Sequence, residues 1–221
     1  KNIIVEKEPT QVFYLLYKMK KMMESKAQDS HHQIVYNQIN NYVDVCVDTT
    51  YFNHALFNLV DNAIKYGYEG SYIYINMTNN TEFLEVKIIS YGGQIEDGDR
   101  IYRLFERGFD YANVAGMGIG MFIVKKICEA HDGSIAHRSE KVCELNLPVL
   151  ACYGIHRNPF LLHELEDSMK DFVHVEISKM NKNLISEVVC DSTFVKYPNV
   201  FKSRISSPTF RNTFVVTIPI K

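Results

Sequence analysis

Apolar residues recur at helical spacing in two long segments of the chain. Residues 10–26 predict an amphipathic helix whose lysines lie largely off the apolar face. The apolar stripe comprises Val12, Leu15, Leu16, Met19, Met22 and Met23. Residues 50–66 predict a second helix, with Asp48 or Thr49 as its N-cap and Gly67 as its stop. We therefore expect two helices that each bury one face.

Shorter segments have the apolar pattern of strands. The predicted strands are residues 34–39, 42–47, 72–77, 84–90, 134–137 and 213–220. The first two are joined by the turn-prone pair Asn40 and Asn41, and the next two by a polar turn at 78–80. A short helix is predicted at 99–106. A longer helix, ending near residue 130, follows a glycine-rich loop.

Composition and charge exclude several classes of protein. The 221 residues are 46% hydrophobic and 23% charged, with a formal net charge of −2, so we expect no nucleic-acid partner. The five cysteines include no Cys-x-x-Cys pair, which favours a reducing compartment over a disulfide framework or zinc site. No apolar run approaches the ~18–20 residues of a membrane span. We expect a soluble cytoplasmic segment that makes no membrane contact itself, although the full-length protein can be membrane-anchored.

The second predicted helix presents four polar residues on one face. Asn58, Asn62, Lys65 and Tyr66 stand at i, i+4, i+7 and i+8 and therefore project together. A carboxamide oxygen is a suitable ligand for Mg²⁺, a lysine one turn later can meet phosphate charge, and a tyrosine can support a base. The alternative is an ordinary solvated polar face.

A glycine-rich loop precedes the third predicted helix. Gly116, Gly118 and Gly120 alternate with Met117 and Ile119. Such glycines allow the backbone to approach a ligand, and the free N–H groups of the first helical turn then form a phosphate cradle. The loop is not a P-loop, because no Gly-Lys-Ser/Thr follows it. The alternative is a purely structural turn.

Taken in order, four motifs resemble those of bacterial sensor histidine kinases, whose ATP-binding domain belongs to one superfamily with gyrase, Hsp90 and MutL. The asparagine box, phenylalanine box, second glycine box with its helix, and final strand are similar to residues 58–66, 104–109, 116–133 and 212–219. The resemblance covers residues 1–139 and 211–221. It implies an α+β fold, an α/β sandwich in which helices cover one face of a mixed β-sheet.

The resemblance also implies roles for individual residues. Asn62 would coordinate Mg²⁺, with Asn58 close by, while Lys65 would contact phosphate and Tyr66 would lie against adenine. Residues 106–115 would form a mobile lid. The nucleotide site would comprise Asn58, Asn62, Lys65, Tyr66, Ser90, Gly92, Ile95, Phe105, Arg107, Gly116, Met117, Gly118, Ile119, Gly120 and Met121. The catalytic candidates are Asn58, Asn62 and Lys65, and the expected cofactors are ATP and Mg²⁺.

The chain departs from the family at the first glycine box, which reads Asp-x-Gly-x-Gly in the histidine kinases. Ser90 stands at the aspartate position and Gln94 at the last glycine. A serine hydroxyl can accept a hydrogen bond from the adenine amino group, but without the assistance of a charge. We therefore predict weaker or less adenine-selective nucleotide binding.

The resemblance favours a kinase over a hydrolase. Hydrolytic relatives carry a water-activating glutamate where this chain has Asn58, which is no general base. The nearest carboxylate, Asp61, is displaced by about 100° around the helix and is expected to face elsewhere. We expect γ-phosphoryl transfer to a histidine of a separate helical dimerisation domain, with a response regulator as a further partner. The alternative is a degenerate nucleotide-sensing or interaction module with little kinase activity.

An unusual insertion separates the last two predicted strands. Residues 140–210 intervene where the family's strands follow each other directly. A helix start at Asn158 and Pro159 and strands at 172–178 and 183–190 predict a small α/β appendage. Two interpretations remain open: a segment that docks on the main sheet edge or contacts a partner, and a passive elaboration.

Overall fold

The computed structural model describes most of the chain outside the lid and the insertion. The described residues are 3–39, 43–68, 70–96, 98–104, 118–143 and 208–220. The elements are β1 Glu8–Gln11, α1 Val12–Asp29, β2 Gln33–Ile39, β3 Asp44–Val47, α2 Thr49–Tyr66, β4 Tyr72–Asn79, β5 Phe83–Gly92, a 3₁₀ turn Asp99–Tyr102, α3 Gly120–Ala130, β6 Ser134–Cys143 and β7 Thr209–Pro219.

The main sheet is mixed and has the strand order β2-β4-β5-β7-β6. Only β2 and β4 run parallel, and every other neighbouring pair is antiparallel. A separate two-stranded sheet joins β1 to β3. The strands predicted at 34–39 and 42–47 therefore exist, but they lie in different sheets. The turn-prone pair Asn40 and Asn41 does not decide which strands pair, because Ile34 of β2 pairs with Ile73 of the buried strand β4.

One face of the main sheet carries the core, and α1, α2 and α3 cover this face, which we call the inner face. Along β5, Leu84, Val86 and Ile88 alternate with more exposed residues, as the two-residue period of a strand requires. Their register partners on β7 are also buried, so apolar rows cross the sheet under the helices. The predicted α+β architecture is confirmed.

Two predicted helices differ in detail from those observed. Met22, assigned to the apolar stripe of α1, is 72% exposed, whereas Met19 and Met23 are buried. At about 100° per residue, position 22 lies at the edge of that stripe rather than at its centre. The helix predicted at 99–106 is a single 3₁₀ turn, Asp99–Tyr102, in the described part of that range.

The insertion leaves and re-enters the sheet between two neighbouring strands. β6 continues to Cys143 and β7 begins at Thr209, and these two residues are register partners. Residues 140–143 and 209–210 are thus part of the sheet, so the predicted bounds of the insertion, 140–210, are too wide. The helix and strands predicted within the insertion lie outside the described residues. None of the helices described is long and apolar enough to cross a membrane.

Candidate nucleotide-binding site

Asp48 fixes the start of α2. Its Oδ1 accepts hydrogen bonds from the backbone N–H groups of Thr50 and Tyr51, each at 3.1 Å, and its Oδ2 accepts one from Glu6 at 3.0 Å. The Glu6 bond, followed by that of Tyr51, holds the pKa of Asp48 below its ordinary value. The backbone N–H of Asp48 donates to Nε2 of His131 at 2.9 Å. This hydrogen bond links the end of α3 to the start of α2.

Asn58 brings the asparagine helix to the glycine loop. Its Nδ2 donates to the backbone carbonyl of His54 at 2.8 Å. A Cβ atom placed on Gly120 would lie 3.0 Å from that Oδ1. The two predicted motifs are 62 positions apart in sequence, yet they are in contact in the fold.

The first turn of α3 lies beside Asn58. Gly118 has φ of +67°, a left-handed conformation that favours glycine. The N-cap residue Ile119 makes no side-chain capping bond. The first N–H groups of α3 therefore lack an intrahelical acceptor, and the positive end of the helix dipole stands at this point. Such an arrangement can receive an anion.

The end of β5 lies against the last turn of α2. Gly67 and Gly92 form an antiparallel bridge, and the backbone N–H of Tyr68 donates to the carbonyl of Tyr91 at 2.7 Å. Tyr66, immediately before this bridge, is thus held near the end of β5. Ser90 is 8% exposed and continues the inner-face row of that strand. Tyr66, Ser90 and Gly92 are consequently gathered at one end of the inner face.

A hydrogen-bond chain across three strands supports the loop after β5. The side chain of Asn212, the register partner of Ser90, donates from Nδ2 to the carbonyl of Gly93 at 2.9 Å. Its Oδ1 accepts from Ser139 Oγ at 2.7 Å, and Ser139 Oγ accepts from the backbone N–H of Ile95 at 3.2 Å. Sequence analysis missed Asn212 and Ser139, because only the pairing of β5, β7 and β6 makes them neighbours of Ser90.

Asp61 lies beside the polar face and binds two lysines. Its Oδ1 accepts from Lys26 of α1, and its Oδ2 forms an ion pair with Lys65. Burial alone would raise the pKa of Asp61, but the hydrogen bonds from Lys26 and Lys65 lower it below its ordinary value. The carboxylate faces α1, yet it also holds the lysine that we expected at the phosphates. Lys26 was not foreseen, because α1 and α2 meet only in the fold.

The described residues offer amide oxygens rather than a carboxylate cage for a metal. No group of three or more His, Cys, Asp or Glu side chains in the described ranges could hold an ion. The Oδ1 of Asn58, beside Gly120, is instead a hard, neutral oxygen, and Asn62 is half-buried one turn later on the same face. Mg²⁺ accepts such ligands when it keeps water and phosphate oxygens as its other partners. The residues present therefore fit a magnesium ion bound together with a nucleotide.

Several predicted site residues fall outside the part of the chain that the structure describes. These are Phe105, Arg107, Gly116 and Met117, together with the predicted lid at 106–115. Met121, in the first turn of α3, and Ile95 are partly buried and pack against the core. Asn58, Gly118, Ile119 and Gly120 lie at one end of the candidate site.

Curated relatives match part of the chain. It is 32% identical to the sensor histidine kinase HprS of Escherichia coli over 108 residues, which cover 47% of this chain and 24% of that protein. It is 31% identical to the sensor protein SrrB of Staphylococcus aureus over 144 residues, which cover 63% of this chain and 24% of that protein. The chain spans about a quarter of the length of these relatives.

A solved structure shares the fold. The catalytic domain of the histidine kinase ThkA has a TM-score of 0.59 at 16% identity, covering 98% of this chain and 97% of that one. At this identity the likeness concerns the fold alone. Residues 47–150 match the model of the histidine kinase-, DNA gyrase B-, and HSP90-like ATPases. This match and the sensor-kinase relatives together support similarity to a histidine kinase ATP-binding catalytic domain.

Proposed function

We propose that the chain binds Mg·ATP between α2 and the start of α3 and transfers the γ-phosphoryl group to a histidine of a separate helical dimerisation domain. The contact of Asn58 Oδ1 with Gly120 supports this proposal most directly, because it brings an amide oxygen next to the first N–H groups of α3. In this arrangement Asn62 and Asn58 face the magnesium ion, while the N–H groups after Gly118 face the phosphates. Lys65 supplies positive charge.

The base lies at the opposite end of the same site. Tyr66 offers an aromatic surface, and Ser90 offers a hydroxyl to the edge of the adenine. The loop held by Asn212 and Ser139 follows β5 at this end. Phe105 and Arg107 are assigned here by family resemblance alone, Arg107 as a phosphate contact.

Transfer is favoured over hydrolysis by the residues of α2 that the structure describes beside the proposed phosphate position. Asn58 cannot take a proton from water. The nearby carboxylate of Asp61 has both oxygens engaged by Lys26 and Lys65. Bound ATP therefore waits for an external nucleophile, and catalysis consists mainly of positioning and charge stabilisation. In the transfer, an imidazole nitrogen gains the phosphoryl group, and ADP leaves with the electrons of the broken P–O bond.

The curated relatives are named sensor kinases, and one solved complex pairs the histidine kinase ThkA with the response regulator TrrA. We infer by analogy that a response regulator takes the phosphoryl group from the helical domain. We also infer that the segment works in the cytoplasm. The acceptor histidine is assigned to the helical domain, because neither His31 nor His32 stands in the acidic helical context of a phospho-acceptor.

The test mixes this chain with the helical domain of the same kinase and ATP labelled at the γ-phosphate. We expect an acid-labile label on the helical domain that requires Mg²⁺. Asn62→Ala should abolish labelling. Asn53→Ala is the matched control, because position 53 lies on the same helix but about 180° away from Asn62. An unlabelled helical domain, despite tight ATP binding by the wild type, would refute the kinase assignment.

A second candidate is a nucleotide-sensing module with little kinase activity. Ser90 in place of the family's aspartate favours it, because the charge-assisted bond to the base is lost. Such a module would bind nucleotide and alter the behaviour of the helical domain without labelling it. The same mixture therefore separates the two candidates.

A further inference from the structure

Two lysines from different helices share the carboxylate of Asp61. Lys26 of α1 binds Oδ1, and Lys65 of α2 binds Oδ2. The Asp61 side chain is only 11% exposed, whereas those of Lys26 and Lys65 are 46% and 32% exposed. Lysine has a long, flexible stem and an ammonium that forms bonds in many directions. The carboxylate is therefore the fixed member of the trio, and the two ammonium groups are the movable ones.

The two lysines differ in what else they can reach. Lys65 lies on α2 one turn after Asn62, at the place proposed for the phosphates. Lys26 lies near the end of α1 and approaches Asp61 from the other side, since it binds the other oxygen. For Lys65 to contact phosphate, its bond to Asp61 has to weaken. A largely buried carboxylate that loses its counter-charge is strongly unfavourable.

We propose that Lys26 is a positioning residue for nucleotide binding, which keeps Asp61 paired while Lys65 turns to the phosphates. The inference rests on the proposed function, because it needs a nucleotide at Lys65. With Lys26 present, Asp61 and Lys26 form a neutral pair and the charge of Lys65 is available. Without Lys26, Asp61 retains Lys65, and the positive charge of Lys65 is no longer available to the phosphates. Nucleotide affinity then falls although no residue that touches the nucleotide has changed.

The test measures the dissociation constant of Mg·ATP by calorimetry at ~0.1 M salt, near the physiological screening length. We expect Lys26→Met to weaken binding about three- to tenfold, in keeping with a partly buried charge pair. Lys26→Arg should bind nearly as the wild type does, because it preserves the charge. Lys18→Met is the matched control, since Lys18 is an exposed lysine about two turns earlier on the same helix.

Two further measurements separate positioning from a general loss of structure. In an Asp61→Asn background, Lys26→Met should change the affinity by less than about twofold, because no carboxylate then competes for Lys65. Adenosine, which has no phosphates, should bind the wild type and Lys26→Met equally. If Asp61→Asn does not fold, the comparison of Met with Arg at position 26 and the adenosine measurement still decide the matter.

The possible failures are distinguishable. A wild-type protein that does not bind Mg·ATP refutes the proposed function, and the role of Lys26 with it. A wild type that binds Mg·ATP, with Lys26→Met binding equally well, refutes the role of Lys26 alone. Equal losses for Lys26→Met and Lys18→Met would also overturn it, since the effect would then be one of total charge. An equal loss of adenosine binding would indicate structural damage instead.

Discussion

Replacing Gly120 by alanine tests the central contact of the site. The new Cβ atom would lie 3.0 Å from Asn58 Oδ1, closer than a carbon and an oxygen normally approach. Asn58 is held on its other side by the bond from its Nδ2 to His54, so its carboxamide cannot simply rotate away. We expect Oδ1 to shift by a few tenths of an ångström and the space between α2 and α3 to narrow.

The fold and the site should respond to this substitution in opposite directions. Gly120 has no positive φ, so alanine is compatible with its backbone and should stabilise the protein by up to about 0.5–1 kcal/mol. Part of this gain is offset by the shift of Asn58. The misplaced ligand oxygen should cost about 1–2 kcal/mol of binding, which corresponds to a loss of about 5- to 30-fold in ATP affinity.

Urea unfolding and calorimetric titration with Mg·ATP measure the two effects on the same sample. The double variant Gly120→Ala with Asn58→Ala removes the steric contact, so alanine at 120 should then change affinity little. Wild-type ATP affinity in a stably folded Gly120→Ala protein would refute the reasoning. A loss of stability above about 1 kcal/mol would also contradict it, because the contact would then belong to the core rather than to an open site.

Three further outcomes follow from the geometry. Ser90→Asp restores a charged acceptor for the adenine amino group and repels the guanine O6, so the ratio of ATP to GTP affinity should rise about tenfold, or 1.4 kcal/mol, in competition binding. Asn212→Leu breaks both bonds of a buried carboxamide, and its unfolding free energy in urea should fall by about 1–3 kcal/mol. Replacing residues 144–208 by a short turn should preserve the fold, measured by thermal unfolding, because the strand ends that it joins are register partners. Complete loss of folding in this last variant would show that the inserted segment is part of the core.

Local patterns were sufficient for most elements of the fold. Asp48 followed by an apolar stripe and Gly67 gave α2 its observed start and end. Period-two alternation gave β5 and β7, whose inner rows are buried. The neighbours of β2 and β3 could not be read from sequence, because the choice of pairing partner depends on burial across the whole sheet. The prediction that Met22 belongs to the buried stripe of α1 was wrong, because the sequence does not show where the buried face of a helix ends.

The site was predictable only where its chemistry lies within one segment. Asn58, Asn62 and Lys65 could be proposed together because a single helix orders them. The role of Lys26 could not be predicted from the sequence, because Lys26 binds Asp61 across the contact between α1 and α2. The asparagine box and the glycine loop were expected to meet through family resemblance, and the contact at Gly120 supplies a physical reason for it.

The insertion begins and ends near one end of the proposed nucleotide site, and this position indicates which part of the nucleotide it can affect. Its root, the pair Cys143 and Thr209, lies three residues along β7 from Asn212, or about 10 Å at the rise of an extended strand. The root is therefore at the same end of the sheet as Ser90 and the loop after β5, the end proposed for the base. A segment anchored there can act on the base more directly than on the phosphates. If the insertion regulates the domain, its removal should alter the preference between ATP and GTP while leaving the affinity for inorganic triphosphate unchanged. An unchanged preference between ATP and GTP, together with a changed affinity for inorganic triphosphate, would show that the insertion does not act on the base.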